Sequence, residues 1–372
     1  MWLTHMFLQF RRAKFMNKSV SPFTTTPGIA GPAYINIHCA DEIIENFGSN
    51  YSTQYVYKIL GLRGSGKSVE YKRVMDYFDS RDDWKVYGLA AGGDPVHTIL
   101  SALSREKEVT SLHNTVENVV SGSIAGGAII SEVNATASKK SITASNPNYF
   151  SAEDDIQKMC REICSKGFSI LIGIDDIAYS DSMSKFLSIV GKLVLDSNIK
   201  IRLIATGLEK NIEQFLDVAH LSFFARPKPY IIKALNLNEV AIMYRNLLGI
   251  DTTDARMLAE ISRGYAWGYQ LLGDEYFCKS KNDTIEDVFK NFDMRMASTY
   301  DLIWNSLTSS EREFIKVAVN SETGSRSEIE PLVSGYSQHR QSLKKKHVID
   351  ASENGYIKIN LPRFKEYIET EW

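Results

Sequence analysis

Cysteine is scarce in this chain: Cys39, Cys160, Cys164 and Cys278 are scattered over 372 residues. So few, so placed, they exclude a disulfide framework and suit a reducing, cytoplasmic compartment. Cys160 and Cys164 stand four apart on an expected helix, but no His or Cys lies nearby in sequence to complete a metal site, so ordinary semi-buried thiols are the plainer reading. Long apolar runs are also missing. None reaches the ~18 residues of a membrane span, and the nearest candidate, Ile124 to Ile130, is far shorter. The apolar stretch Met1 to Phe10 is followed by Arg11 and Arg12, which reverses the charge order of a secretory signal. Met16 offers an alternative start, with residues 1–15 an extension or an artefact ahead of it.

Charge of one sign is lacking as well. Lys and Arg number 43 and Asp and Glu 45, a net charge of −2, so nothing draws the whole molecule to nucleic acid or to an anionic membrane. Any DNA contact must come from a local patch. What is abundant is apolar residue: 44% hydrophobic content over this length excludes disorder and predicts two or three globular domains.

The most specific feature is Gly61-Leu62-Arg63-Gly64-Ser65-Gly66-Lys67-Ser68, a complete G-x-x-x-x-G-K-[ST] phosphate loop. Its glycines let successive backbone N–H groups, through Val69, turn toward phosphates. Lys67 reaches the β and γ oxygens, and the Ser68 hydroxyl coordinates Mg²⁺. The flanks have the required form. Tyr55 to Leu60 reads as a buried strand, and Tyr71, Val74, Met75 and Phe78 fall on one face of a following helix. The expected ligands are a nucleoside triphosphate and Mg²⁺.

Ahead of the loop, residues 19–34 form a turn-rich arm able to pack over a base, and Ala40 to Phe47 a short amphipathic helix. Beyond it, Trp84 to Leu89 reads as a strand and Pro95 to Ser104 as a helix opened by Asp94. The polar stretch 108–150 breaks the βα rhythm and reads as an insertion. After an amphipathic segment from Ala152 to Ser165 comes an apolar strand, Phe168 to Ile174, ending in Asp175-Asp176. Such paired acids match a Walker B strand, where the first carboxylate holds Mg²⁺ and the second orients or deprotonates a water. A further strand, Ile199 to Ala205, ends in Thr206-Gly207. Thr206 is either a γ-phosphate sensor or a hydroxyl closing a strand end. Arg226, after an aromatic pair, is an arginine finger for a neighbouring subunit or a solvated turn residue.

From Asn238 the periodicity is helical. One stripe runs Val240, Met243, Tyr244, Leu247 and Leu248; helices over 252–263 and from Trp267 to Phe277 follow. After Asn291 the expected order is a helix over Thr299 to Leu307, a capped helix over Ser310 to Asn320, a short helix over Ser327 to Val333, a helix over Tyr336 to Lys346, and a hairpin turning at Glu353-Asn354-Gly355. Short helices followed by a hairpin form a winged helix, with Tyr336 to Lys346 in the recognition position.

Taken together, the phosphate loop, Asp175-Asp176, the Thr206 strand, Arg226, the helical lid and the winged helix resemble bacterial and archaeal P-loop ATPases of the additional-strand class. These are related to origin-recognition-type AAA+ initiators and to signalling NTPases of the STAND group. The resemblance implies an α/β fold: a P-loop NTPase parallel sheet sandwiched by helices, then a helical lid and a C-terminal winged-helix domain. The expected divisions are an arm at 1–35, an ATPase core at 36–235, a lid at 236–292 and a winged helix at 293–372. It implies phosphate binding by Gly61, Gly64, Ser65, Gly66, Lys67, Ser68 and Val69, Mg²⁺ on Ser68 and Asp175, and catalytic roles for Asp176, Thr206 and Arg226. It also implies adenine over guanine, since no guanine-reading Asn/Thr-Lys-x-Asp segment is present. Two departures stand out. AAA+ enzymes carry Asp-Glu where this chain has Asp175-Asp176, the shorter second acid resembling the STAND pattern and implying slow, switch-like hydrolysis. In the lid segment Ser262 to Gly273, Trp267 stands near the place where the initiators have a phosphate-sensing arginine, and Arg263 lies a turn away.

The recognition helix offers His339, Arg340, Lys344, Lys345 and Lys346, and the wing adds Lys358, a patch suited to DNA phosphates. Over 300–372, however, ten Lys or Arg face eleven Asp or Glu, so long-range steering is weak. The alternatives are a DNA-associated ATP switch and a STAND-like component whose nucleotide state controls self-assembly or partner recruitment.

Overall fold

A computed structural model of the chain describes residues 20–371 apart from 91, 111–148, 217 and 219–220. The aromatic and β-branched run before the phosphate loop forms strand β1, Val56–Leu60, buried at every residue. Burial without alternation is what a parallel strand covered on both faces requires. β2 (Trp84–Leu89), β3 (Ser169–Ile174), β4 (Ile201–Gly207) and β5 (Tyr230–Ile231) complete one sheet in the order β2-β3-β4-β1-β5. Every neighbouring pair is parallel. β4 is therefore the additional strand, inserted between the phosphate-loop strand and the Asp-Asp strand. Its register sets Gly207 beside Leu60 and Ala205 beside Ile174, so all three carboxyl ends meet.

Helices cover both faces. On one side α1 (Cys39–Gly48) and α2 (Lys67–Asp79) bury Ile43, Phe47, Val74 and Phe78 against Tyr57, Ile59, Leu171 and Ile204. On the other, α3 (Pro95–Leu103), α4 (Tyr149–Ser165) and α5 (Asp181–Leu195) cover Val56, Leu60, Ile170 and Leu203. Each such fully buried side chain contributes roughly 1.5–3 kcal/mol. Asp94 caps α3 as the sequence predicts, accepting from the amide of Val96 at 3.0 Å. A short helix absent from the sequence reading, α6 (Glu209–Leu216), follows β4 directly.

The lid comprises α7 (Leu237–Leu248), α8 (Thr252–Ser262) and α9 (Ala266–Cys278). Gly249, at φ 68°, closes α7 as expected. The helix expected over Thr299 to Leu307 is only the end of a 21-residue helix, α10 (Ile285–Asn305). Its apolar stripe, Val288, Phe292, Met296, Tyr300 and Ile303, keeps helical spacing straight through the point at 292 and 293 where the sequence pattern changes. The winged helix follows: α11 (Ser309–Asn320), single turns at Arg326–Ile329 and Glu330–Leu332, α12 (Tyr336–Lys345), and a hairpin of β6 (Ile349–Asp350) against β7 (Lys358–Ile359). Of the two capping boxes in the sequence, the one used joins Thr308 and Glu311. A last helix, α13 (Phe364–Glu371), is missing from the sequence reading although Phe364, Tyr367 and Ile368 carry its spacing. One hydrophobic core runs through lid, winged helix and the arm residues Phe23, Ala33 and Ile35. Most of the expected insertion, and the expected N-terminal extension, lie outside the described residues.

Candidate nucleotide site

The phosphate loop leaves β1 at its carboxyl end and enters α2 through Gly66, whose φ of 100° is one that residues with a Cβ rarely adopt. Gly64, at φ 72°, lies so close to the lid that a Cβ there would collide with Tyr265 Oη and Trp267 Cβ. Lys67, the first residue of α2, is buried and donates to the carbonyls of Gly61 at 3.1 Å and Leu62 at 2.9 Å. Burial pulls its pKa down to about 8, against the raising effect of Asp176.

The three predicted elements of the magnesium and water site come together. The Ser68 hydroxyl donates to Asp175 Oδ1 at 3.2 Å, and the Thr206 hydroxyl donates to the same oxygen at 2.5 Å. Thr206 Oγ1 also accepts from the backbone amide of Asp176 at 2.8 Å. The fully buried Thr206 side chain thus fixes both acids. Asp176 turns out of the strand at φ 53° and points its half-exposed carboxylate toward Arg63, 3.9 Å away. Asp175 faces the loop while Asp176 faces the open side, the division of labour that paired acids need.

A cavity of about 350 Å³ runs beside the loop, bounded by the arm (Thr24 to Ile29, Tyr34 and Ile35), residues 63–70, and Ala266, Trp267 and Gln270 of the lid. Its size falls in the range of small-ligand pockets. Two buried polar atoms by this wall, Ser65 Oγ and Trp267 Nε1, have no partner in the protein, so a polar ligand fits the lining. Arm and lid are joined around it: Tyr269 Oη donates to the Ala33 carbonyl at 2.8 Å, and Gln270 Oε1 accepts from the Thr24 amide at 2.9 Å. Lid and loop are joined too, through Tyr265 Oη to the Arg63 carbonyl and the Trp267 amide to the Gly64 carbonyl at 2.9 Å.

The sequence reading missed Thr299 and Leu302 of α10, which reach this cavity, and Glu70. Glu70 is buried and accepts from Tyr34 Oη at 2.6 Å and from the Ala40 amide at 2.9 Å, while Arg73 completes the cluster. It ties the arm to the helix that carries Lys67. A buried acid one turn into an amphipathic helix was the available signal.

No protein-family model matches this sequence, and no curated protein matches it. Among solved structures, the ORC2 protein of Aeropyrum pernix, in ADPNP and ADP complexes, matches over 97% of both chains with a TM-score of 0.51 at 13% identity. The fold is that of an origin-recognition-type AAA+ ATPase. Also similar are Cdc6p of Pyrobaculum aerophilum (11% identity, 91% of this chain and 96% of that one, TM-score 0.41) and a STAND protein of Pyrococcus horikoshii with a tetratricopeptide-repeat sensor (16% identity, 95% and 44%, TM-score 0.38).

Within this AAA+ fold, Arg226 is not brought to the loop of its own chain. It lines a different cavity with Tyr55, Val56, Ser169 and Ile199, at the amino ends of the strands, whereas the loop leaves β1 at the carboxyl end. Arg263 is not a phosphate ligand either: half-buried at φ 51°, it donates to the Ile359 carbonyl of the winged helix.

Several of the recognition-helix cations are spent inside the molecule. Arg340 donates to the Ala351 carbonyl at 2.9 Å, and Lys346 pairs with buried Glu311 at 2.6 Å. Lys345 pairs with Glu213 of α6 at 2.9 Å, across to the ATPase core. Lys358 lies 3.6 Å from Glu353, His339 is half-buried, and Lys344 is exposed. Just past α12, His347 stands 3.4 Å from Glu209, though unaligned for a hydrogen bond. Burial first, and then the charge of Lys67, push its pKa below the usual histidine value. The winged helix thus rests on the segment that follows Thr206, within electrostatic reach of the phosphate-loop lysine. No helix of the described residues is long and apolar enough to cross a membrane, and no cluster of three His, Cys, Asp or Glu suited to a metal occurs among them.

Proposed function

We propose that this chain binds ATP with Mg²⁺ between core and lid, hydrolyses it slowly, and uses the nucleotide state to set the placement of its winged helix. The observation that carries this reading is the convergence of Ser68 and Thr206 on one oxygen of Asp175 at the mouth of a complete phosphate loop. The amides from Gly61 to Val69 and the Lys67 ammonium hold the phosphates, and Ser68 and Asp175 hold the metal. Mg²⁺, when bound, neutralises charge developing on the β and γ oxygens. Asp176 orients or deprotonates the attacking water, and Thr206 keeps both carboxylates in place. Arg226 can serve only a neighbouring molecule's site. The Lys67→Ala variant tests the reading: equilibrium titration with a fluorescent ATP analogue should show binding abolished, and normal binding by that variant would overturn the assignment.

A second reading, a STAND-like switch that recruits a partner without binding DNA, is favoured by the Lys345–Glu213 and His347–Glu209 contacts, which turn part of the recognition helix inward. Size-exclusion chromatography with and without ATP·Mg²⁺ and a short duplex separates the two. Comigration with duplex supports the DNA switch; ATP-dependent assembly with no duplex shift supports the second.

A further inference from the structure

The amino ends of the strands open into a second cavity of about 1670 Å³, on the opposite edge of the sheet from the phosphate loop. It exceeds the ~300–1,000 Å³ typical of small-molecule sites and is sized for a polymer segment. Six Lys or Arg line it against three Asp or Glu. Two of those acids are already occupied, Asp83 by Arg81 and Asp196 by Arg161. Lys200, Arg202, Arg226, Lys228 and Lys233 have no carboxylate partner among the described residues. This contrasts with the winged helix, where Lys345, Lys346 and Lys358 all have one.

Arg202 is the informative member. It is half-buried, donates only to the Ile201 carbonyl at 3.1 Å, and leaves Nε buried with no partner. Its guanidinium lies 4.7 Å from the centre of the Tyr55 ring. A half-buried charge without a counter-ion is unfavourable unless an anion supplies one. Beside it Tyr55 is 37% exposed, and Tyr51, in the same segment, is 95% exposed. Unpaired cations interleaved with exposed aromatic rings in a long open groove are the arrangement that tracks a phosphate backbone and stacks unpaired bases.

We propose that this amino-edge cleft binds a single strand of nucleic acid, with Lys200, Arg202, Lys228 and Lys233 on its phosphates and Tyr51 and Tyr55 as stacking surfaces. The site is separate from the winged helix and needs neither the phosphate loop nor the recognition helix.

The test uses the full chain and fluorescence anisotropy with labelled 20-mers of dT and of U, and a duplex of equal length, over a range of salt. Wild type should bind at least one single strand more tightly than duplex, with a log–log salt slope of about −2 to −3 for three to four phosphates. The double variant Lys228→Glu/Lys233→Glu, at two exposed positions, should weaken single-strand binding at least tenfold and flatten the slope by about 1. Its ATP binding should be unchanged. Tyr51→Ala should weaken binding without altering the slope, and Lys344→Ala on the recognition helix should leave it as in wild type. The proposal is overturned by no single-strand binding at low salt, by binding insensitive to the double variant, or by preference for duplex. It is also overturned if the double variant instead abolishes an ATP-dependent oligomer while single strands never bind, which would assign the cleft to a second copy of the chain.

Discussion

The phenol of Tyr265 donates to the carbonyl of Arg63, 2.5 Å away, so the lid grips the phosphate loop at its centre through one buried side chain. The Trp267 amide repeats the grip on the next carbonyl, that of Gly64. Tyr265→Phe removes the first donor and should lower stability by about 1 kcal/mol. Gly64→Ala adds a Cβ where φ is 72° and the lid leaves no room, and should cost about 1–3 kcal/mol. Thermal melts with and without ATP check both. If Gly64→Ala left stability and ATP affinity untouched, the lid would not contact the loop as described.

The two adjacent acids should separate cleanly. Asp175→Asn removes the oxygen shared by Ser68 and Thr206 and should abolish the Mg²⁺ dependence of nucleotide binding. Asp176→Asn should preserve binding while lowering phosphate release by about 10²–10⁴-fold. Binding isotherms with and without Mg²⁺, beside a phosphate-release assay, distinguish them; equal effects of the two variants would defeat the assignment.

Lys67 gives affinity a pH dependence of defined sign. Its ammonium titrates near pH 8 before phosphates arrive, and a triphosphate favours the protonated form, so binding takes up a proton. Affinity should be level near pH 7 and fall as pH rises through about 8, approaching tenfold per unit above it. A titration series from pH 7 to 9.5 reads this directly, and a flat profile would contradict it.

His347 should make the docked winged helix acid-sensitive. Its pKa in the folded protein is depressed, so below the ordinary value of about 6.5 the unfolded or released state binds more protons. The contribution is complete above that value and is lost as pH falls through the window beneath it. Melting curves of nucleotide-free protein between pH 5 and 7.5 should lose part of their slope in His347→Gln; an identical slope would exclude His347 as the titrating group.

Much of the site was legible because phosphate chemistry dictates both residue type and spacing. Gly61 to Ser68 fixes loop and helix, and an apolar strand ending in Asp175-Asp176 can only present those acids at a sheet edge. Thr206 was readable for the same reason, though its hold on both acids depends on β4 lying between β1 and β3, a non-local fact. What stayed hidden depended on which surfaces meet. Arg263 lies near the lid motif yet turns to Ile359, because at φ 51° its Cα aims the side chain at the winged helix. Lys345 and Lys346 look like DNA contacts until Glu213 and Glu311, distant in sequence, are brought to them. Glu70 reads as a surface acid until Tyr34 and Ala40 fold over it, and α10 reads as two pieces because Asn291 and Asp293 interrupt its polar side but not its buried stripe.

That continuous α10 has a mechanical consequence. At 1.5 Å per residue its 21 residues form a rod of about 30 Å, with Thr299 and Leu302 beside the nucleotide cavity and its far end seated in the winged helix. Lid and winged helix share one apolar core around it, so they cannot separate without exposing that core to water. A shift of Leu302 by a bound base therefore turns both as a single lever, whose fulcrum lies in the few residues between β5 and α7.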